Sequence, residues 1–128
     1  MTPEAHPRRY SRAFHSHPSV AGECRRILRG ALIEWGLPHL YDDASLVLTE
    51  MLTNAIRSGD LIRVEVFTDG DRVVLEVFDP STELPKRGDP EPEDEGGRGV
   101  SIIDAYADTW GYRLVKGGKV VFAVLIGE

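Results

Sequence analysis

The 128-residue sequence has a single cysteine, Cys24. An internal disulfide is therefore impossible, and no second thiol is present to share a metal ion. Long hydrophobic runs are missing too. No window approaches the roughly 18 uninterrupted apolar residues of a membrane-spanning helix. Arg8, Arg9 and Arg12 near the start are not followed by the apolar stretch of a secretory signal, so the cytoplasm is the expected compartment. Positive charge is also in deficit: 15 Lys and Arg against 21 Asp and Glu give a formal net charge of −6. That balance argues against nonspecific binding of nucleic acid, because neutralising phosphates needs a clustered positive surface. Arg25, Arg26 and Arg29 do cluster, and read as a solvated helix face, with partner contact as the alternative.

What is present suits a globular protein: 41% hydrophobic and 28% charged residues, in a length that builds one core. A single domain over residues 1–128 is expected, with residues 1–8 as a flexible tail. Arg9 to His17 alternate loosely, as an edge strand would, and Ser19 can cap the helix that follows. Val20, Cys24, Ile27, Leu28, Ala31, Leu32 and Trp35 form one apolar stripe at three- and four-residue spacing, ended by Gly36 and Pro38. A second helix starts at Asp42 and ends near Gly59, with Ala44, Val47, Leu48, Met51, Leu52 and Ala55 in helical phase. The runs LIRVEVFT and RVVLEVFD flank Asp69-Gly70-Asp71, a hairpin signal, and their alternation buries one face. Residues from Pro80 to Gly99 form a long loop rich in proline and acids, of a length that is usually functional. A third helix is expected from Val100 to Asp108, then a hairpin of WGYRLV and KVVFAVLI around Lys116-Gly117-Gly118. This order predicts an α+β fold: a two-layer α/β sandwich whose mixed, mostly antiparallel sheet is covered on one face by three helices.

Three elements carry potential chemistry. Glu50 and Asn54 lie one turn apart at the margin of the second helix's apolar face, about 40° around it from each other. A carboxylate there must be hydrated, paired or liganded. Either Glu50 bonds an arginine and Asn54 caps a loop, or both project into a pocket, where Asn54 suits a hard cation such as Mg²⁺ and Glu50 could deprotonate an attacking oxygen. Asp79 ends a strand before Pro80 and Ser81; it either opens a turn or accepts a hydrogen bond from an exocyclic amine such as that of adenine. Gly96-Gly97-Arg98-Gly99 precedes a helix, where backbone amides and Arg98 could hold phosphate, or glycines could act as a lid hinge. No Lys-Ser/Thr follows, so it is not a Walker A loop.

In this order and spacing the elements resemble the GHKL ATPase superfamily of DNA gyrase, heat-shock chaperones, histidine kinases and mismatch-repair ATPases. Within it, they are most similar to the small anti-sigma-factor serine kinases and histidine-kinase-like ATP-binding regulators of bacteria. Glu50-Met-Leu-Thr-Asn54-Ala55 looks like the N box, Asp79-Pro80-Ser81 like a shortened first glycine box, and Gly96-Gly97-Arg98-Gly99-Val100 like the second. Ala107-Asp108-Thr109-Trp110-Gly111 and Gly117-Gly118-Lys119 look like the family's ending, so the resemblance runs from about Phe14 to Leu125. It implies ATP and Mg²⁺ as cofactors: Asn54 binding Mg²⁺, Glu50 as general base, Asp79 with Ser81 at the adenine, and Gly97, Arg98, Gly99 and Val100 around phosphates. Residues from about Leu84 to Glu95 would be the ATP lid. The sequence departs from the pattern at Ser58, where many relatives have histidine, at Ser81 in place of glycine, and at Val120, in a late-strand position where threonine is frequent near the adenine.

The functions implied are an ATP-dependent serine kinase acting in partner switching on a sigma factor or its antagonist, or a catalytically inactive interaction module of the same fold. Pairing of two copies through the first strand and helix is a further expectation. None of His6, His15, His17 and His39 falls on a helical hairpin, which sets aside the phospho-acceptor of a sensor kinase. His15 and His17 read as exposed strand residues rather than a metal pair.

Overall fold

The computed structural model describes residues 8–58, 61–81 and 102–127 and, at residues 57 and 58, the backbone alone. Most of the expected Pro80–Gly99 loop, the second glycine box with Gly97, Arg98, Gly99 and Val100, the Ser58 side chain and nearly all of the N-terminal tail lie outside the described residues. The elements are β1 (Arg9–His15), α1 (Val20–Glu34), a 3₁₀ turn at Pro38–Leu40, α2 (Tyr41–Ser58), β2 (Leu61–Asp69), β3 (Arg72–Asp79), β4 (Thr109–Val115) and β5 (Gly118–Ile126). Residues 102–106 are helical.

The five strands lie in the order β1-β2-β3-β5-β4, and each described pairing is antiparallel. The expectation of a mixed sheet is thereby sharpened: consecutive hairpins supply β2–β3 and β4–β5, and β5 returns beside β3. Both hairpin loops have two residues, Gly70-Asp71 and Lys116-Gly117, as the pairs Asp69–Arg72 and Val115–Gly118 define. Gly70 (φ +66°) and Gly117 (φ +87°) supply the left-handed backbone that such tight loops require.

Alternation along the strands sorts the sheet into two faces. Ile62, Val64 and Val66 of β2, Val73, Leu75 and Val77 of β3, and Val121, Ala123 and Leu125 of β5 are buried beneath the helices. Their partners in the core are Val20, Cys24, Leu28 and Leu32 of α1, Val47, Leu48, Met51 and Leu52 of α2, and Ile103. The opposite face carries exposed or half-buried residues, including Phe67, Phe78 and Phe122. Arg9 lies 4.3 Å over the Phe67 ring and also pairs with Glu65, and Arg113 pairs with Glu76 at 3.1 Å.

α1 ends in a glycine cap. Gly36 (φ +74°) donates its N–H to Ile33 O at 3.1 Å, and Leu37 donates to Leu32 O at 2.8 Å, while the Leu37 side chain is buried. This is the Schellman arrangement, which satisfies the last helical carbonyls. At the other end Ser19 holds the N-cap position, but its hydroxyl makes no capping bond. It lies 2.9 Å from His17 Nδ1, which also accepts the Ser19 N–H at 3.1 Å. The expected side-chain cap is therefore replaced by a local contact with histidine. β1 is an edge strand, tied to α1 by the Arg12–Glu23 ion pair at 2.7 Å and by the hydrogen bond from the Tyr10 hydroxyl to Glu34.

Cys24 packs in the core at 1% exposure, and burial, followed by the Glu23 charge, pushes its thiol pKa from 9.0 up to about 12. The folded chain keeps this proton between those values, whereas the unfolded chain releases it. Stability should consequently fall as pH rises from 9 towards 12. Iodoacetamide at mildly alkaline pH is expected to modify Cys24 in urea but not in the native protein; equal labelling rates in the two states would contradict this burial.

Candidate functional site

Asp79 is the last residue of β3 and the fourth inward position after Val73, Leu75 and Val77. Strand phase therefore drives its carboxylate under the helical layer, where the residue is 2% exposed. A buried carboxylate requires partners. The Ser81 N–H donates to Asp79 Oδ1 at 2.9 Å, closing the short turn through Pro80, and the Lys119 ammonium donates to the same oxygen at 2.8 Å. Lys119 Nζ also donates to the Ser81 carbonyl at 3.2 Å. Asp79, Ser81 and Lys119 thus form a small hydrogen-bonded cycle at the junction of β3 and β5. Of the two readings of Asp79 made from the sequence, the turn is present: the Ser81 N–H closes on its carboxylate.

Register explains the pairing. Asp79 stands directly opposite Lys119 in the antiparallel ladder, and Phe78 stands opposite Val120. Val120 accordingly lies on the other face, beside Phe78, Arg63 and Arg113. The strand position facing Asp79 is Lys119. Gly118 makes the close approach possible: a Cβ there would lie 2.0 Å from the Asp79 carbonyl oxygen and 2.7 Å from Pro80 Cα. No side chain fits in that space.

Lys119 is the residue that motif reading passed over. Its signal was present in the strand phase, because Lys119 shares the period of Val121, Ala123 and Leu125, and a lysine in an inward series must find a buried anion. At 4% exposure it has done so.

Glu50 and Asn54 are both on α2, half-buried, and flanked by the buried Val47, Met51, Leu52 and Ala55. α2 packs against β3, the strand that carries Asp79. Among the described residues no arginine pairs with Glu50; the nearby Arg25 guanidinium donates instead to the Thr49 hydroxyl at 3.3 Å. Asn54 has an interaction partner within the protein. The structure therefore brings the helix of Glu50 and Asn54 onto the strand of Asp79, while the phosphate-binding candidates Gly97, Arg98, Gly99 and Val100 lie outside the described residues. His15 and His17 are exposed, and no cluster of three or more His, Cys, Asp or Glu residues forms a metal-ligand group among the described residues. No described helix is long and apolar enough to cross a membrane.

Residues 14–125 match the family model of the histidine kinase-like ATPase domain, so the chain belongs to that family. Among solved structures it is similar to the RsbU and RsbW domains of a Mycobacterium tuberculosis protein, with a TM-score of 0.69 and 19% sequence identity over 92% of this chain. The match spans 32% of that longer chain, and at this identity it shows a shared fold. No curated protein matches the sequence.

Breaking the buried ion pair should be costly. Asp79→Leu or Lys119→Met alone leaves an uncompensated buried charge and is expected to cost about 3–5 kcal/mol, whereas the double substitution should cost less than either single one. Urea unfolding of the four proteins measures this coupling. Additive losses would show that the two side chains do not interact.

Proposed function

We propose that this protein binds Mg²⁺-ATP between α2 and the β3–β5 junction, and that it acts as a regulatory serine kinase in partner switching with a sigma factor or its antagonist. The observation that carries the reading is Glu50: a half-buried carboxylate on a core helix, with no ion pair among the described residues, one turn from an asparagine. Family membership over residues 14–125 and the fold likeness to an RsbW domain support it.

The donor chemistry fits the cofactor. A neutral amide oxygen from Asn54 is a hard ligand suited to one position of Mg²⁺, whose remaining sites are filled by water and phosphate oxygens. Asp79 Oδ1 is committed to Lys119 and Ser81. Bound Mg²⁺-ATP supplies the transferable phosphoryl group and neutralises its charge. In this scheme Glu50 would accept the proton of the attacking serine hydroxyl as its oxygen bonds to the γ-phosphorus and the bond to the departing ADP breaks, and Asn54 would hold the cation. The motif residues Gly97, Arg98, Gly99 and Val100 take the phosphates, and Asp79 with Ser81 lies at the base end.

A second reading, an interaction module without catalysis, is favoured by the Lys119 ammonium bound to the carboxylate that would meet the base. Incubation with labelled ATP and candidate antagonist proteins separates the two. Phosphate transfer that falls at least about 100-fold in Glu50→Ala, with ATP binding retained, supports the kinase. Partner capture without transfer supports the module, and calorimetry showing no ATP binding at millimolar concentration rules out the kinase.

Pairing of two copies through β1 and α1 belongs to the same proposal. β1 is an edge strand, a common template for pairing between chains. Sedimentation velocity should then show a dimer that Tyr10→Pro disrupts, and a wild-type protein that stays monomeric at high micromolar concentration would contradict it.

A further inference from the structure

Away from α2 and the β3–β5 junction, a cleft of about 330 Å³ opens between the inner side of β1 and α1. Cys24, Ala31, Val64 and Val66 form its floor, each at most 6% exposed, so the interior is apolar. The mouth is different. Strand phase puts Arg12 on the helix-facing side of β1, between Tyr10 and Phe14 and directly opposite Val64. On α1, Arg26 and Gly30 stand one turn apart at the same opening. The Arg12 guanidinium donates to Glu23 at 2.7 Å, whereas Arg26 has no partner among the described residues. The surrounding charge is largely of one sign: residues 1–30 hold six arginines and two glutamates, in a chain whose net charge is −6. Gly30 is the second anomaly. A glycine inside a helix is less favourable than alanine, and packing does not require this one, because a Cβ there would meet nothing within 4 Å. The missing side chain leaves the mouth open beside Arg26.

We propose that this cleft binds a small amphipathic carboxylate, whose apolar body lies over Cys24 and Val64 and whose charged end is held by Arg26, with Arg12 beside it. The volume falls at the lower end of the roughly 300–1,000 Å³ of small-ligand pockets, and an apolar lining with a few polar groups at one end is their usual make-up. A carboxylate brings one negative charge, which matches the one uncompensated cation at the mouth, and the planar guanidinium fork suits its two oxygens. Glu23 does not oppose it, since its carboxylate is already paired with Arg12, which keeps further N–H donors free of that bond. The site is separate from α2 and the β3–β5 junction, so its occupation requires no nucleotide.

Calorimetric titration with octanoate and with octanol tests this in the wild-type protein, in Arg26→Gln and in Gly30→Leu, at a protein concentration where sedimentation velocity shows a single species. Thermal unfolding verifies that each variant is folded; Arg26 is exposed, so its replacement leaves the core intact. Wild-type protein should bind octanoate about tenfold more tightly than octanol, the worth of one charge-assisted hydrogen bond. Arg26→Gln should lose that preference while still binding both, and Gly30→Leu, which fills the mouth, should weaken both by about tenfold or more. No binding of octanoate by the wild type at millimolar concentration overturns the site. Equal affinity of the wild type for the two compounds, or an undiminished preference in Arg26→Gln, overturns recognition of the carboxylate. Unchanged affinity in folded Gly30→Leu places the ligand elsewhere and overturns the cleft.

Discussion

The register between β3 and β5 is the constraint on which the rest of the candidate site depends. Val73, Leu75 and Val77 face Leu125, Ala123 and Val121 across the ladder, all on the buried side of the sheet. Because the side-chain period of a strand is two, a slip of one residue would expose the whole set, so the core fixes this alignment strongly. One step further along the same phase lie Asp79 and Lys119. The apolar core thereby dictates that a carboxylate and an ammonium meet in a buried place. Gly118 lets the strands approach closely enough for the contact, since any side chain there would collide with the Asp79 backbone.

Such a pair has two consequences. Desolvation makes it a poor source of net stability, but it makes loss of either partner costly, and this disfavours any rearrangement that separates them. It also presents a fixed, charged end to the region between α2 and β3. Glu50 and Asn54 supply the contrasting end: they sit at the margin of a helix whose other residues fill the core, and Glu50 has no ion-pair partner among the described residues. Asp79 is thus a neutralised carboxylate, and Glu50 is one without an ion pair among the described residues.

Much of the fold was legible in the sequence. The helical stripes of α1 and α2, both hairpins and the buried faces of β2 and β3 follow from periodicity and glycine placement, and the structure has them, with loops of two residues. Element ends were less legible. α2 begins at Tyr41, directly after a 3₁₀ turn, rather than at Asp42, because Pro38 starts that turn and the chain continues into the helix without a break. Ser19 holds the N-cap position without capping, since His17 offers its hydroxyl a nearer partner. Among the candidate site residues, Glu50 and Asn54 were legible as polar residues at a core margin and Asp79 as a carboxylate at a strand end. Lys119 was not, although its strand phase carried the signal, because only the register shows which anion it meets.

Under the proposed function a nucleotide binds with its base end at the Asp79–Lys119 junction and its phosphate end near α2. Amide NMR spectra recorded during titration with Mg²⁺-nucleotide test this placement. Concentration-dependent shifts are expected at Asp79, Ser81 and Lys119 together with Glu50 and Asn54, while the open-face residues around Glu76 and Phe122 stay unmoved. Shifts confined to the open face, or none at either end of the site at saturating nucleotide, would contradict it.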